Sequence, residues 1–235
     1  MGTSEERLTS RTVPPFRRPI VIAAAPGTWK SPHMKLYYSP ASPFVRKVLI
    51  VLHETGLIAQ TELVRASGNA ISPGTMPTDQ NPLGKIPTLV LNDGRAIYDS
   101  RVITRFLAET TGSELYPETA QKWECLTLEA TADGIADAGI LMVYEKRLRP
   151  EAIWSNDWME GQWSKIARAL DHIEAHHMPY LLSGFNAGHI ALVAALGYLD
   201  FRLAARDWRN GHPALARWAE SVSSRPSVSV TAPTD

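Results

Sequence analysis

Three short stretches carry the residue types that suit ligand chemistry: Ser42-Pro43, Lys85-Ile86-Pro87 and Asp99-Ser100. Ser42 and Pro43 stand at the N-cap and N1 positions of a stretch with apolar residues at helical spacing, Val45, Val48, Leu49 and Leu52, which Gly56 stops. Asp99-Ser100 stands in the same relation to Arg101–Thr111, where Val102, Ile103, Phe106 and Leu107 recur on one face. A helix N-terminus offers free N–H groups and a positive dipole end, so it favours a carboxylate or another anion. Ser42 adds a hydroxyl at one such end, and Asp99 adds an acid at the other.

The third stretch lies between two turn formers and a strand. Asn81-Pro82 and Gly84 lead into Ile86-Pro87-Thr88-Leu89-Val90-Leu91. Proline has no N–H and is confined to strand starts, edges and bulges, so Thr88–Leu91 reads as a strand entered through a proline turn. Asp93-Gly94 is a hairpin signal and Arg95–Tyr98 is the returning strand. Upstream, Lys35–Ser39 is a short strand broken by Pro40 and Pro43, and Glu62-Leu63-Val64 is a weaker one. The link 66–80 is a loop with room for one helical turn. The order is therefore β-α-β, loop, β-β-α, with a right-handed first crossover.

Gly112–Pro117 reads as a linker, and everything beyond it has helical periodicity. Glu118–Leu148 is a long helix or a kinked pair, with Gly134 and Gly139 as kink points. Ser155 or Asn156 caps a helix reaching about His177. Asn186 caps one from Ala187 to about Arg206 that is apolar nearly all round, hence central and buried. His212-Pro213 opens a last helix, Ala214–Ser223, and Arg225-Pro226 with a Ser/Pro tail follows it.

The Asn81-Pro82…Ile86-Pro87…Asp99-Ser100 series, and the α/β unit followed by helices, resemble glutathione transferases over about residues 34–226. The stretch Ala195–Arg202 is similar to the core helix of bacterial members. The resemblance implies a thioredoxin-like α/β N-terminal domain (34–112) and an all-α helical C-terminal domain (118–226). It implies a cis Ile86-Pro87 bond, Ile86 offering its backbone to the cysteinyl part of glutathione, and Asp99 and Ser100 holding the γ-glutamyl end. A cis X–Pro turn projects the preceding N–H and C=O outward, where an extended peptide can pair with them. Lys85 would meet the glycyl carboxylate.

Ser42 occupies the position of the serine in tau-class and the cysteine in omega-class members. A free thiol titrates near pH 8.5, and a helix N-terminus or hydrogen-bond donor lowers that value. The resemblance thus gives Ser42 the thiolate, with Ser39 as rival; Ser42 also reads as a plain N-cap, and the two roles coexist. Tyr37 and Tyr38 read as structural. Tyr144, Arg147 and Asp137 on the long helix are second-substrate candidates, equally readable as helix surface. In the family the core helix opens with a capping box of Ser/Thr and Asp. Here the positions are Asn186 and His189, and histidine accepts a backbone N–H only when neutral, which leaves the second half of the box open.

Composition narrows the partners. Hydrophobic residues make up 44% and charged residues 20% of the 235, ordinary for a globular protein. Lys+Arg and Asp+Glu are 24 each, so no net field draws nucleic acid or an anionic membrane. No apolar run reaches the ~20 residues of a membrane span. One cysteine, Cys125, allows no internal disulfide, fits a reducing cytoplasm and reads as a small buried hydrophobe. The seven histidines show no metal-ligand spacing. Residues 1–33, rich in proline and arginine, read as a disordered extension or a misassigned start ahead of Met34, with a targeting peptide as the lesser alternative.

The expectation is a cytoplasmic, homodimeric transferase that uses glutathione as substrate, needs no metal, and conjugates a small electrophile, the chemistry of detoxification. A catalytically silent transferase-like binding module is the alternative of a different class. A glutathione-dependent thiol reductase or peroxidase is a third, disfavoured by serine at position 42.

Overall fold

A computed structural model describes residues 34–235; the expected disordered extension, 1–33, lies outside them. The first elements are β1 (Met34–Tyr38), α1 (Pro43–Glu54), β2 (Thr61–Arg65), β3 (Thr88–Leu91), β4 (Ala96–Ile97) and α2 (Ser100–Thr111). The strands form one mixed sheet in the order β2-β1-β3-β4. β1 runs parallel to β2 and antiparallel to β3, with Leu36 opposite Leu63 on one side and Leu89 on the other. This is the thioredoxin-like arrangement. The link 66–80 contains turns and no helix.

α1 is buried along most of its length because α2 and helices of the second layer pack on it. Val45, Val48, Ile50, Val51 and Leu52 are fully buried, each stabilising the fold by about 1.5–3 kcal/mol.

The rest is helical: α3 (Lys122–Leu148), α4 (Asn156–His176), α5 (Met178–Leu181), α6 (Ala187–Arg202), α7 (Pro213–Ser223) and α8 (Pro226–Ser229). α3 is one continuous helix rather than a pair. α6 is the central helix, buried on every side, and packs on α3 and α1. It ends at Arg202, short of Arg206. Ala204–Arg206 follow as a 3-10 turn, closed by Asp207 in the left-handed region at φ 44°. α8 was hidden by its proline: Pro226 starts a short helix at N1, where no N–H is needed.

Two details fix the two layers together. A Cβ on Gly197 would lie 1.9 Å from Arg46 Nη1, so a side chain there would push the α1 guanidinium from its place under α6. There Arg46 donates to the carbonyls of Val193 (3.4 Å) and Val228 (3.3 Å). The Asn186 box is also complete. The Asn186 N–H donates to His189 Nδ1 at 3.3 Å, and Asn186 Oδ1 accepts from the Gly188 N–H at 3.1 Å. Burial holds the His189 pKa below its ordinary value, which supplies the neutral ring the box needs. Cys125 is buried, with Sγ 3.4 Å from Asn186 Oδ1.

Candidate functional site

The candidate residues come from three adjoining chain segments at one end of the sheet. Ser42 is the N-cap of α1, where the Val45 N–H donates to its Oγ at 3.3 Å. That bond uses a lone pair. Among the described residues the hydroxyl proton has no acceptor, so it is open to a ligand. The first turn of α1 has no acidic residue, which leaves the positive dipole end uncompensated. Ser39 follows β1 and accepts the Ser42 N–H on its carbonyl at 3.1 Å. Its side chain makes no bond among the described residues.

The Ile86-Pro87 bond is cis. Asn81, which reads in sequence only as a turn former, is the clamp for this loop. It is 1% exposed; its Nδ2 donates to the Lys85 carbonyl and to Thr88 Oγ1, both at 3.1 Å. Thr88 Oγ1 also donates to the Lys85 carbonyl at 2.9 Å. Among the described residues neither the N–H nor the C=O of Ile86 has a hydrogen-bond partner, which leaves that peptide unit available to an extended ligand. Lys85 is exposed beside it.

Asp99 caps α2, accepting the Arg101 N–H at 3.0 Å, and the Tyr98-Asp99 bond is also cis. Ser100, 3% exposed, is the first residue of that helix. Arg101 bridges Asp99 (3.6 Å) and Asp133 of α3 (3.2 Å). Asp133 in turn accepts from Lys47 of α1, which also donates to Glu129 at 3.2 Å. Tyr116 donates to Glu129 at 2.9 Å, and its hydroxyl lies 2.7 Å from Thr104 Oγ1 of α2. Burial is the first cause pushing the Glu129 carboxyl above the usual carboxylate range. None of Lys47, Glu129 or Asp133 stands out in sequence, because each reads as an ordinary helical charge.

Asp137 lies one turn beyond Asp133 and interacts with Lys85, Arg101 and Asp99. The walls around it and then Asp133 push its carboxyl up, while Lys85 and Arg101 pull the other way. Tyr144 and Arg147 are seven and ten residues further along α3, hence about 10 and 15 Å away at 1.5 Å per residue. The second-substrate candidates are therefore strung along one helix rather than gathered at a point. Among the described residues no cluster could hold a metal ion, and no helix is long and apolar enough to cross a membrane.

The chain matches the family described as Glutathione S-transferase, N-terminal domain, over residues 41–110, and Glutathione S-transferase, C-terminal domain, over residues 156–221. It is 36% identical over 210 residues to the uncharacterized GST-like protein YibF of Escherichia coli, covering 85% of this chain and 98% of that one. It is 30% identical over 217 residues to glutathione S-transferase 3 of Zea mays, covering 84% and 92%. A glutathione transferase family member from Pseudomonas fluorescens Pf-5, solved with bound glutathione, superposes with a TM-score of 0.84 at 43% identity, over 86% of this chain and all of that one. A second structure from that organism holds S-(propanoic acid)-glutathione, with a TM-score of 0.80 at 42% identity over the same shares.

Proposed function

Because the chain belongs to the glutathione S-transferase family, we propose that it activates the glutathione thiolate with Ser42 for attack on a small electrophile. The observation that carries this reading is the uncommitted Ser42 hydroxyl at an acid-free helix start. A donor and a dipole end that both favour the charged sulfur lower its pKa toward neutrality. The proton goes to solvent, the serine holds the thiolate through its hydroxyl, and sulfur adds to the electrophile.

In this reading the Ile86 N–H and C=O pair with the cysteinyl residue and Pro87 fixes their direction. Lys85 meets the glycyl carboxylate. Asp99 takes the γ-glutamyl amine and Ser100 its carboxylate. The face of α3 from Asp137 through Tyr144 to Arg147 holds the second substrate. Glutathione is a substrate and no metal is required. The cytoplasm is the location that suits one buried thiol and a thiol substrate.

The apolar face shared by α2 and α3 supports a homodimer. Val102 and Trp123 are 52% and 71% exposed there, and Phe106 and Leu126 line a hollow of about 510 Å³ between the helices. An apolar patch of this kind is ordinarily covered; a second copy is the occupant we assign, and light scattering checks it.

A panel of conjugation and peroxidase substrates, run beside capture on immobilised glutathione, tests the activity. Turnover with capture supports the transferase; capture without turnover leaves a silent binding module; disulfide reduction alone points to thiol transfer.

A further inference from the structure

We propose that the hollow between the C-terminal ends of α3 and α6 and the first turns of α4 is a second ligand site, for an organic carboxylate with an apolar body. The site goes beyond the transferase reading and does not depend on it. None of the residues assigned to glutathione lines this hollow, and of the second-substrate candidates only Arg147 does.

The hollow has a volume of about 480 Å³, the size of a small-molecule site. Part of its wall is apolar. Met142 and Val143 of α3 and Met159 of α4 line it, at 4%, 8% and 4% exposed. Two of these are methionines, whose unbranched chains adapt to an irregular guest. The rest of the wall is cationic: Lys146, Arg147, Arg202 and Arg206 stand against one acid, Glu160. The whole chain has a formal net charge of zero, so this excess is local.

The four cations are not equally committed. Arg206 is taken up by both carboxylate oxygens of Glu160. Lys146 lies 5.7 Å from the centre of the Trp154 ring. Arg202 sits over the Phe201 ring, 3.9 Å from its centre, a contact that engages the guanidinium carbon and leaves N–H donors for an acceptor. One of those donors already holds a carboxylate oxygen, Asp235 Oδ1 at 2.5 Å, on a side chain that is 79% exposed. Arg147 has no hydrogen bond or ion pair among the described residues. Guanidinium groups receive a carboxylate through paired N–H donors. Arg147 and Arg202 therefore supply the anionic end of the site, and Met142, Val143 and Met159 the apolar end. An inorganic anion would use the first and leave the second wet. A neutral apolar molecule would do the reverse and crowd charges that need water.

Calorimetry on the full chain with octanoate, octan-1-ol and acetate tests this. Octanoate should saturate a single site and bind at least about tenfold more tightly than either of the others, because hydrogen bonds to a charged group and burial of a hydrocarbon chain each contribute that much. Arg147→Gln and Arg202→Gln should each weaken octanoate several-fold and leave octanol unchanged. Ala205→Glu should act the same way, since it adds a second acid at an exposed lining position and disturbs no core contact. Glutathione should bind equally well with and without saturating octanoate; competition between them would put octanoate in the glutathione site and overturn the inference. Equal affinities for octanoate and octanol, or octanoate binding that survives all three substitutions, would overturn it as well.

Discussion

Lys47 of α1 donates to both carboxylate oxygens of Asp133 on α3, at 2.8 and 2.9 Å. The same ammonium reaches Glu129, and Asp133 also holds Arg101 at the start of α2. One buried lysine thus ties together the helices that begin at Ser42 and at Ser100. Lys47→Met would leave Glu129 in the interior without a cation and Asp133 with Arg101 alone. Breaking a buried pair from one side costs about 3–5 kcal/mol. Chemical denaturation should show that loss, and Glu129→Gln added to Lys47→Met should recover part of it. An unchanged midpoint in the single variant would contradict the role given to the network.

His189 sets a pH dependence. Its pKa in the fold lies below the ordinary value of about 6.5, so the unfolded chain binds a proton more readily. Its contribution to stability is full above about pH 6.5 and is lost as pH falls through that value toward the folded pKa. Glutamine at the third helical position also completes a capping box and does not titrate. The gap in melting temperature between the native protein and His189→Gln should therefore shift in favour of the variant between pH 7.5 and 5.5. A gap that stays constant over that range would show that His189 does not titrate on unfolding.

Asp99 and Ser100 should matter to glutathione more than to the fold. Asp99→Asn keeps an N-cap and removes the charge. Ser100→Ala removes a hydroxyl that has no partner among the described residues. Each variant should weaken glutathione by about 1.5–3 kcal/mol, the range for hydrogen bonds to charged groups. Titration calorimetry with unchanged affinity in both would take the γ-glutamyl end away from this helix start.

What the sequence made legible was local. The caps at Ser42, Asp99 and Asn186 follow from residue type just ahead of an apolar period, and the cis-proline turn follows from resemblance around Pro87. The electrostatic core was not legible. Lys47 lies 82 and 86 residues from its carboxylate partners, and only the packing of α1 on α3 turns three ordinary charges into a buried cluster. Asn81 has the same history: turn chemistry explains its type, but its clamp on Lys85 and Thr88 depends on the loop folding back.

The thiol titration of bound glutathione, followed by thiolate absorbance in the native protein and in Ser42→Ala and Ser39→Ala, tests the central claim most directly. Removing the N-cap also costs about 1 kcal/mol of stability, so the variants are compared well below their melting temperatures. The account predicts a bound thiol with a pKa below the free value of about 8.5, raised by Ser42→Ala and not by Ser39→Ala. Turnover at neutral pH should fall about 10²–10³-fold alongside it. A titration that Ser42→Ala leaves in place while Ser39→Ala raises it would move the role to Ser39, and a native protein that does not lower the thiol pKa at all would contradict the mechanism.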